Sequence, residues 1–243
     1  MKQLLVLSLL ISLTACVPQI SVQDSSQSEA SSQSGYNQYN DDQAAYAMSL
    51  YQAGDFANAA LLLDELSYRS APEGWHWQLL AADAYLHLGN TEKALSLILP
   101  LENKQLDIND SLLLDLLQAS LYLHGFDPES ALQRLSFAPD LNVQPDLLQR
   151  YYLLLSEAYR LNGNQLESAN TLNQLDSLLF NDPGKRLENQ LSIIRNLSTL
   201  SDEALQMLQP SPPGVLGGWM ELARLIKLYG SSMEEITPMF MQW

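Results

Sequence analysis

Between residues 41 and 182 apolar and polar positions alternate with a helical period, broken at intervals by a glycine followed by Asp or Asn. Over 46–63 the apolar positions include Tyr46, Ala47, Leu50 and Tyr51, then Phe56, Ala59, Ala60 and Leu63. Steps of three and four place such residues on one face of a helix. Gly54-Asp55 interrupts the run. The stretch 81–98 repeats the arrangement around Gly89-Asn90. Gly54 and Gly89 stand 35 residues apart, as do Ala59 and Ala94. The pattern predicts a helix, a tight turn and a second helix, used more than once. Glycine supplies the left-handed backbone that closes the first helix. Asp or Asn favours the turn, and the small alanine lets the second helix come close.

Two weaker copies follow. One predicts helices over 112–123 and 129–135 around Gly125-Phe126-Asp127-Pro128, with Ala131 as the small residue and Pro128 in the first helical turn. The other predicts helices over 152–161 and 166–179 around Asn162-Gly163-Asn164, with Ala169. Asn181-Asp182-Pro183-Gly184 reads as a stop. Beyond it lie a helix over 187–197 and a short one to 208, capped by Ser201-Asp202-Glu203. After a Pro-rich break at 210–214, further helices are expected over 218–229 and from 231 to the end.

The repeated unit resembles the tetratricopeptide repeat, with Ala47 and Ala82 at its small eighth position and Gly54 and Gly89 at its turn. The Trp-x-x-Leu opening of the strict consensus is missing. The resemblance implies an all-α fold of tetratricopeptide-like helical-hairpin repeats forming an elongated right-handed solenoid. About four pairs would occupy 41–182, with further helices over 183–243. Composition agrees, because leucine far outnumbers the β-branched valine and isoleucine that suit strands.

The amino terminus reads as an address. Lys2 precedes an apolar stretch over 4–13, too short for a membrane span, which needs about 20 residues. It fits the core of a signal peptide. The stretch ends in Leu13-Thr14-Ala15-Cys16, which resembles the bacterial lipobox. That resemblance implies a signal peptide over 1–15 and a diacylglycerol on the Cys16 thiol. Val17 in place of Asp points to the periplasmic face of the outer membrane. Residues 17–40 are rich in Ser and Gln and bury too little apolar area to fold, so they read as a tether.

The formal net charge is −16. So acidic a chain does not track a phosphate backbone, and no nucleic-acid partner is expected. The single cysteine excludes an internal disulfide and a CxxC site. His76, His87 and His124 have no i,i+4 pairing, and no metal site is expected. No Gly-rich phosphate loop, GxSxG or HExxH motif is present. No catalytic residue and no cofactor are therefore expected, apart from the covalent lipid on Cys16. Stacked helix pairs offer a face for partners. By repeat position Met48, Tyr51, Gln52, His76, Asp83 and His87 would line it. With no Lys or Arg among them, they argue against a clamp for a partner's terminal carboxylate. Tyr85, Tyr122, Tyr159 and Trp219 read as packing residues.

A lipobox, a tether and helical repeats coincide with a particular C-terminal stretch. Glu188-Asn189-Gln190, then Gly218-Trp219-Met220-Glu221-Leu222, then Trp243 resembles the amino-terminal domain of LpoA-type activators of penicillin-binding proteins. The resemblance implies a non-catalytic outer-membrane lipoprotein whose partner is a class A bifunctional penicillin-binding protein, with peptidoglycan as a further contact. LpoA-type proteins continue past the Trp matching Trp243 into a second domain, so the chain is expected to be an amino-terminal fragment or a short form. The same features leave a scaffold for another periplasmic machine open, such as outer-membrane protein or pilus secretin assembly.

Overall fold

The computed structural model describes residues 41–70, 74–139, 142–208 and 215–229. Cys16, the tether over 17–40 and the helix expected from 231 lie outside these residues. Every element among the described residues is helical. The helices are α1 (41–52), α2 (Phe56–Arg69), α3 (Trp75–His87), α4 (Thr91–Ile98), α5 (Ile108–His124), α6 (Pro128–Arg134), α7 (Pro145–Leu161), α8 (Gln165–Asp176), α9 (Pro183–Ser198), α10 (Asp202–Met207) and α11 (Val215–Tyr229). Short 3₁₀ turns, Leu99–Leu101 and Ser177–Leu179, extend α4 and α8. From Gln43 onward these helices form one compact unit.

Four turns share one design, and it explains the repeat. Gly54, Gly89, Phe126 and Gly163 all have positive φ, at 79°, 73°, 59° and 81°. In each turn the next residue donates its N–H five residues back, as Asp55 does to Leu50, Asn90 to Tyr85, Asp127 to Tyr122 and Asn164 to Tyr159. This is the Schellman closure, which satisfies carbonyls left free at a helix end. Asp55, Asn90 and Asp127 then turn outward as N-caps, accepting from the backbone N–H of Asn58, Lys93 and Ser130.

This geometry corrects the register of the later copies. Gly125 has an ordinary negative φ of −80° and only ends α5. Phe126 occupies the left-handed position, so the turns are spaced 35, 37 and 37 residues apart. Counting five residues on from each turn gives Ala59, Ala94, Ala131 and Ser168, so the fourth small residue is Ser168 and not Ala169. Counting seven back gives Ala47, Ala82, Ala119 and Ser156. All eight are buried. In the fourth unit the hydroxyl of Ser168 donates to the carbonyl of Ser156 at 2.8 Å, tying α8 to α7 where the other units use alanine contact alone.

Asp182-Pro183 both ends one helix and begins the next. Asp182 accepts from the Lys185 N–H, and Pro183 opens α9, where its missing N–H leaves no donor unmet. Likewise α7 starts at Pro145 and reaches further toward the amino terminus than the apolar period alone suggests. Gly74, ahead of α3, is buried against α2; a Cβ there would lie 2.3 Å from the Ser67 carbonyl oxygen.

Leucine and alanine fill three successive cores, and Ile194 and Ile226 form a small fourth cluster. The first joins α1 to α5 through Leu63, Leu79, Ile98 and Leu117. The second joins α5 to α7 through Leu116, Leu135 and Tyr151. The third joins α8, α9 and α11 through Leu175, Ile193, Leu197 and Met220. Each helix rests on near neighbours in sequence, as repeat architectures do.

Candidate functional site

His76, Asp83 and His87 are spaced seven and four residues apart on α3 and so form one stripe. Around it α1, α2, α5 and α7 bring their own polar and aromatic groups. Asp83 is 1% exposed. A carboxylate that deep needs a cation and further donors. Arg150 of α7 supplies the cation, its Nη1 donating to Oδ2 at 2.7 Å and its Nη2 to Oδ1 at 2.6 Å. The hydroxyl of Tyr51 on α1 donates to the same carboxylate. Burial raises the Tyr51 pKa far above its ordinary value, and the Asp83 charge raises it further, so the phenol stays a donor. Burial alone would lower the Arg150 pKa, but the Asp83 carboxylate outweighs it and holds the guanidinium charged. Three helices from three different repeat units are thereby fixed at one point.

The remaining expected residues flank this network. His76 is exposed, and its Nδ1 meets Asp110 Oδ1 on α5 at 2.7 Å. The hydrogen bond to Asp110 raises its pKa, against a smaller opposing effect of burial. His87 is exposed and its ring stacks on Phe56 of α2, with centroids 4.1 Å apart and planes within 6°. Phe56 in turn meets the Tyr51 ring edge-on at 5.5 Å. Met48 is half-buried against the first core, and Gln52 is exposed. Asp83 and Tyr51 therefore hold the fold, while Gln52, His76 and His87 present atoms to solvent.

Arg150 is the member that sequence reading missed. It lies 67 positions from Asp83, and no local spacing links them. A signal did exist: Leu147 and Leu154, three before and four after it, pack on the core. Arg150 therefore sits on the inward side of α7.

A second feature lies between α7 and α9. Two adjoining cavities of about 390 and 360 Å³ share Leu153, Leu172 and Ser192. One end is lined by Ser156, Glu157, Arg160, Arg195 and Asn196, the other by Gln149, Lys185, Glu188 and Asn189. The residues pair off in the same order along both helices, so α7 and α9 run in the same direction with α8 as the floor. Among the described residues, no three His, Cys, Asp or Glu side chains gather as a metal site, and no helix is long and apolar enough to cross a membrane.

The family described as "LppC putative lipoprotein" matches residues 51–243, most of the chain and every unit of the repeat but the start of the first. The chain belongs to this LppC family. A curated relative is the penicillin-binding protein activator LpoA of Vibrio cholerae serotype O1. It is 26% identical over 168 residues, which are 69% of this chain and 28% of the relative. The LppC chain thus matches little more than a quarter of the length of that relative. Among solved structures, the LpoA N-terminal domain from Haemophilus influenzae superposes with a TM-score of 0.56 at 19% identity, over 74% of this chain and 84% of that one. Full-length LpoA from the same organism gives 0.53 at 20% identity, over 70% and 31%. At such identities the likeness is one of fold: the all-helical architecture of this LppC chain is that of the LpoA N-terminal domain.

Proposed function

We propose that this chain is the helical, non-catalytic part of a penicillin-binding protein activator in peptidoglycan synthesis. The supporting observation is the 168-residue likeness to proteins named penicillin-binding protein activator LpoA, on a fold shared with the LpoA N-terminal domain. The partner proposed is a class A bifunctional penicillin-binding protein, with peptidoglycan as a further contact. The lipid proposed on Cys16 holds the chain at the periplasmic face of the outer membrane, and the Ser/Gln-rich tether gives it reach. Two or more acyl chains are enough for stable anchoring. The network of Tyr51, Asp83 and Arg150 stiffens the repeats, so a partner would meet a pre-ordered surface and bind without first ordering it.

The test is Cys16→Ser in cells, with the signal peptide otherwise intact. The chain should leave the outer-membrane fraction, and stimulation of the synthase should fall to the level of a deletion. Undiminished stimulation by an unanchored chain contradicts the positional mechanism.

A further inference from the structure

The groove between α7 and α9 carries an electrostatic feature at odds with the rest of the molecule. The chain bears a formal charge of −16, so carboxylates are in excess for every cation. Among the described residues Arg69, Lys93, Arg134, Arg150, Arg160, Lys185, Arg186, Arg224 and Lys227 each pair with one. Lys104 lies over the Trp75 ring. Arg195 alone among the described cations has neither kind of partner, and it lines the groove. The neighbouring Glu157 does not neutralise it, because the fork of Arg160 holds that carboxylate at 2.6 and 2.7 Å.

A second observation concerns Asn196, one residue further along α9. It is only 7% exposed. Its Nδ2 donates to Ser168 Oγ on α8 at 2.8 Å, which leaves its Oδ1 available as an acceptor at the groove. Asn189, two turns earlier on the same face, is tied to α8 in a similar way, but its oxygen is closed off from solvent. Its Nδ2 donates to the Leu172 carbonyl at 2.9 Å and its Oδ1 is unpartnered. What the groove can take is an N–H donor on Asn196 Oδ1 and an anion beside Arg195. A peptide end has both, in one backbone. From Lys185 to Asn196 the groove follows eleven residues of helix, roughly 16 Å, which an extended chain covers in about five residues. Leu153, Leu172, Leu175 and Leu179 offer apolar floor for side chains between the polar ends.

We propose that the α7–α9 groove binds an extended peptide of about five residues, its C-terminal carboxylate on Arg195 and a backbone N–H donated to Asn196 Oδ1. The site is separate from the α3 stripe, whose one nearby cation, Arg150, is already engaged. It does not depend on which protein the chain activates.

The test is a titration of the full chain, in mild detergent, followed by amide ¹H–¹⁵N resonances. The probe is the acetylated pentapeptide Ala-Ala-Leu-Ala-Ala with a free C-terminal carboxylate, compared with the same peptide amidated. The free acid should give saturable shifts confined to 149–160, 168–179 and 185–196. The amidated form should bind at least tenfold more weakly. Arg195→Ala should weaken the free acid at least tenfold and leave the amidated form unchanged, and Arg195→Lys should recover part of the loss. Arg195 is exposed and unpaired, so these variants keep the fold, as an unchanged spectrum outside the groove would show. Equal binding of acid and amide, indifference to Arg195→Ala, or shifts that do not saturate would each overturn the proposal.

Discussion

Replacing Arg150 by methionine probes the point where three repeat units are joined. Methionine retains much of the apolar stem of the side chain but removes the guanidinium. Asp83, at 1% exposure, is then left with only the Tyr51 hydroxyl as donor. Removing one partner of a buried pair costs about 3–5 kcal/mol. Here the lower end applies, about 3 kcal/mol, because 27% of the Arg150 side chain is already in water and Tyr51 remains. For a domain of this size that corresponds to a fall in Tm of roughly 6–12 °C. The measurement is urea unfolding followed by far-ultraviolet circular dichroism at pH 7, on the chain from residue 17. The triple variant Tyr51→Phe, Asp83→Leu, Arg150→Met removes the whole network and should return to within about 1 kcal/mol of the wild type, since no charge is then left buried. A loss below about 1 kcal/mol for Arg150→Met, or a triple variant no more stable than the single one, would refute the reasoning.

The turns make opposite predictions for apparently similar substitutions. Gly89→Ala should cost about 1 kcal/mol through its φ of 73° alone, as nothing lies within 4 Å of the new Cβ, whereas Phe126→Gly should be neutral or stabilise by up to about 1 kcal/mol, both read from urea midpoints. Gly74→Ala should cost about 2–3 kcal/mol, because its Cβ meets the Ser67 carbonyl oxygen at 2.3 Å and α3 must move away from α2. His76, with its pKa raised by Asp110, stabilises the fold fully below its ordinary value near 6.5 and loses that contribution as pH rises through the raised value. Stability should therefore drop by about 0.5 kcal/mol across that window, a small effect for a half-exposed pair, and Asp110→Asn should abolish the drop.

What the sequence made legible was set by local interactions. Helix type, the left-handed glycines at 54, 89 and 163 and the N-caps at 55, 90 and 127 all follow from contacts within a few residues. The third turn misled because glycine was taken as the mark of the left-handed residue. There the chain uses Phe126, with its side chain 87% exposed, and leaves Gly125 in an ordinary conformation. In the fourth unit alanine was taken as the mark of the small position, which picked Ala169 and hid its neighbour Ser168, whose hydroxyl does by hydrogen bonding what alanine does by size. Asp83 was visible as a member of the α3 stripe, but its burial was not, because the cation that makes burial tolerable comes from α7. The α7–α9 groove was illegible for the same reason. Asn189 was quoted only for its family likeness, and Arg195 and Asn196 attract no notice until α8 is seen beneath them.

The most direct measurement is a titration of the chain from residue 17 against the purified class A penicillin-binding protein of the same cell, with glycan polymerisation and peptide cross-linking followed together. The proposed activator role predicts saturable binding with a rise in one or both rates, abolished when the chain is unfolded beforehand. Binding without any change in rate, or no binding at concentrations that saturate an authentic activator, would contradict it and leave the helical repeats as a spacer.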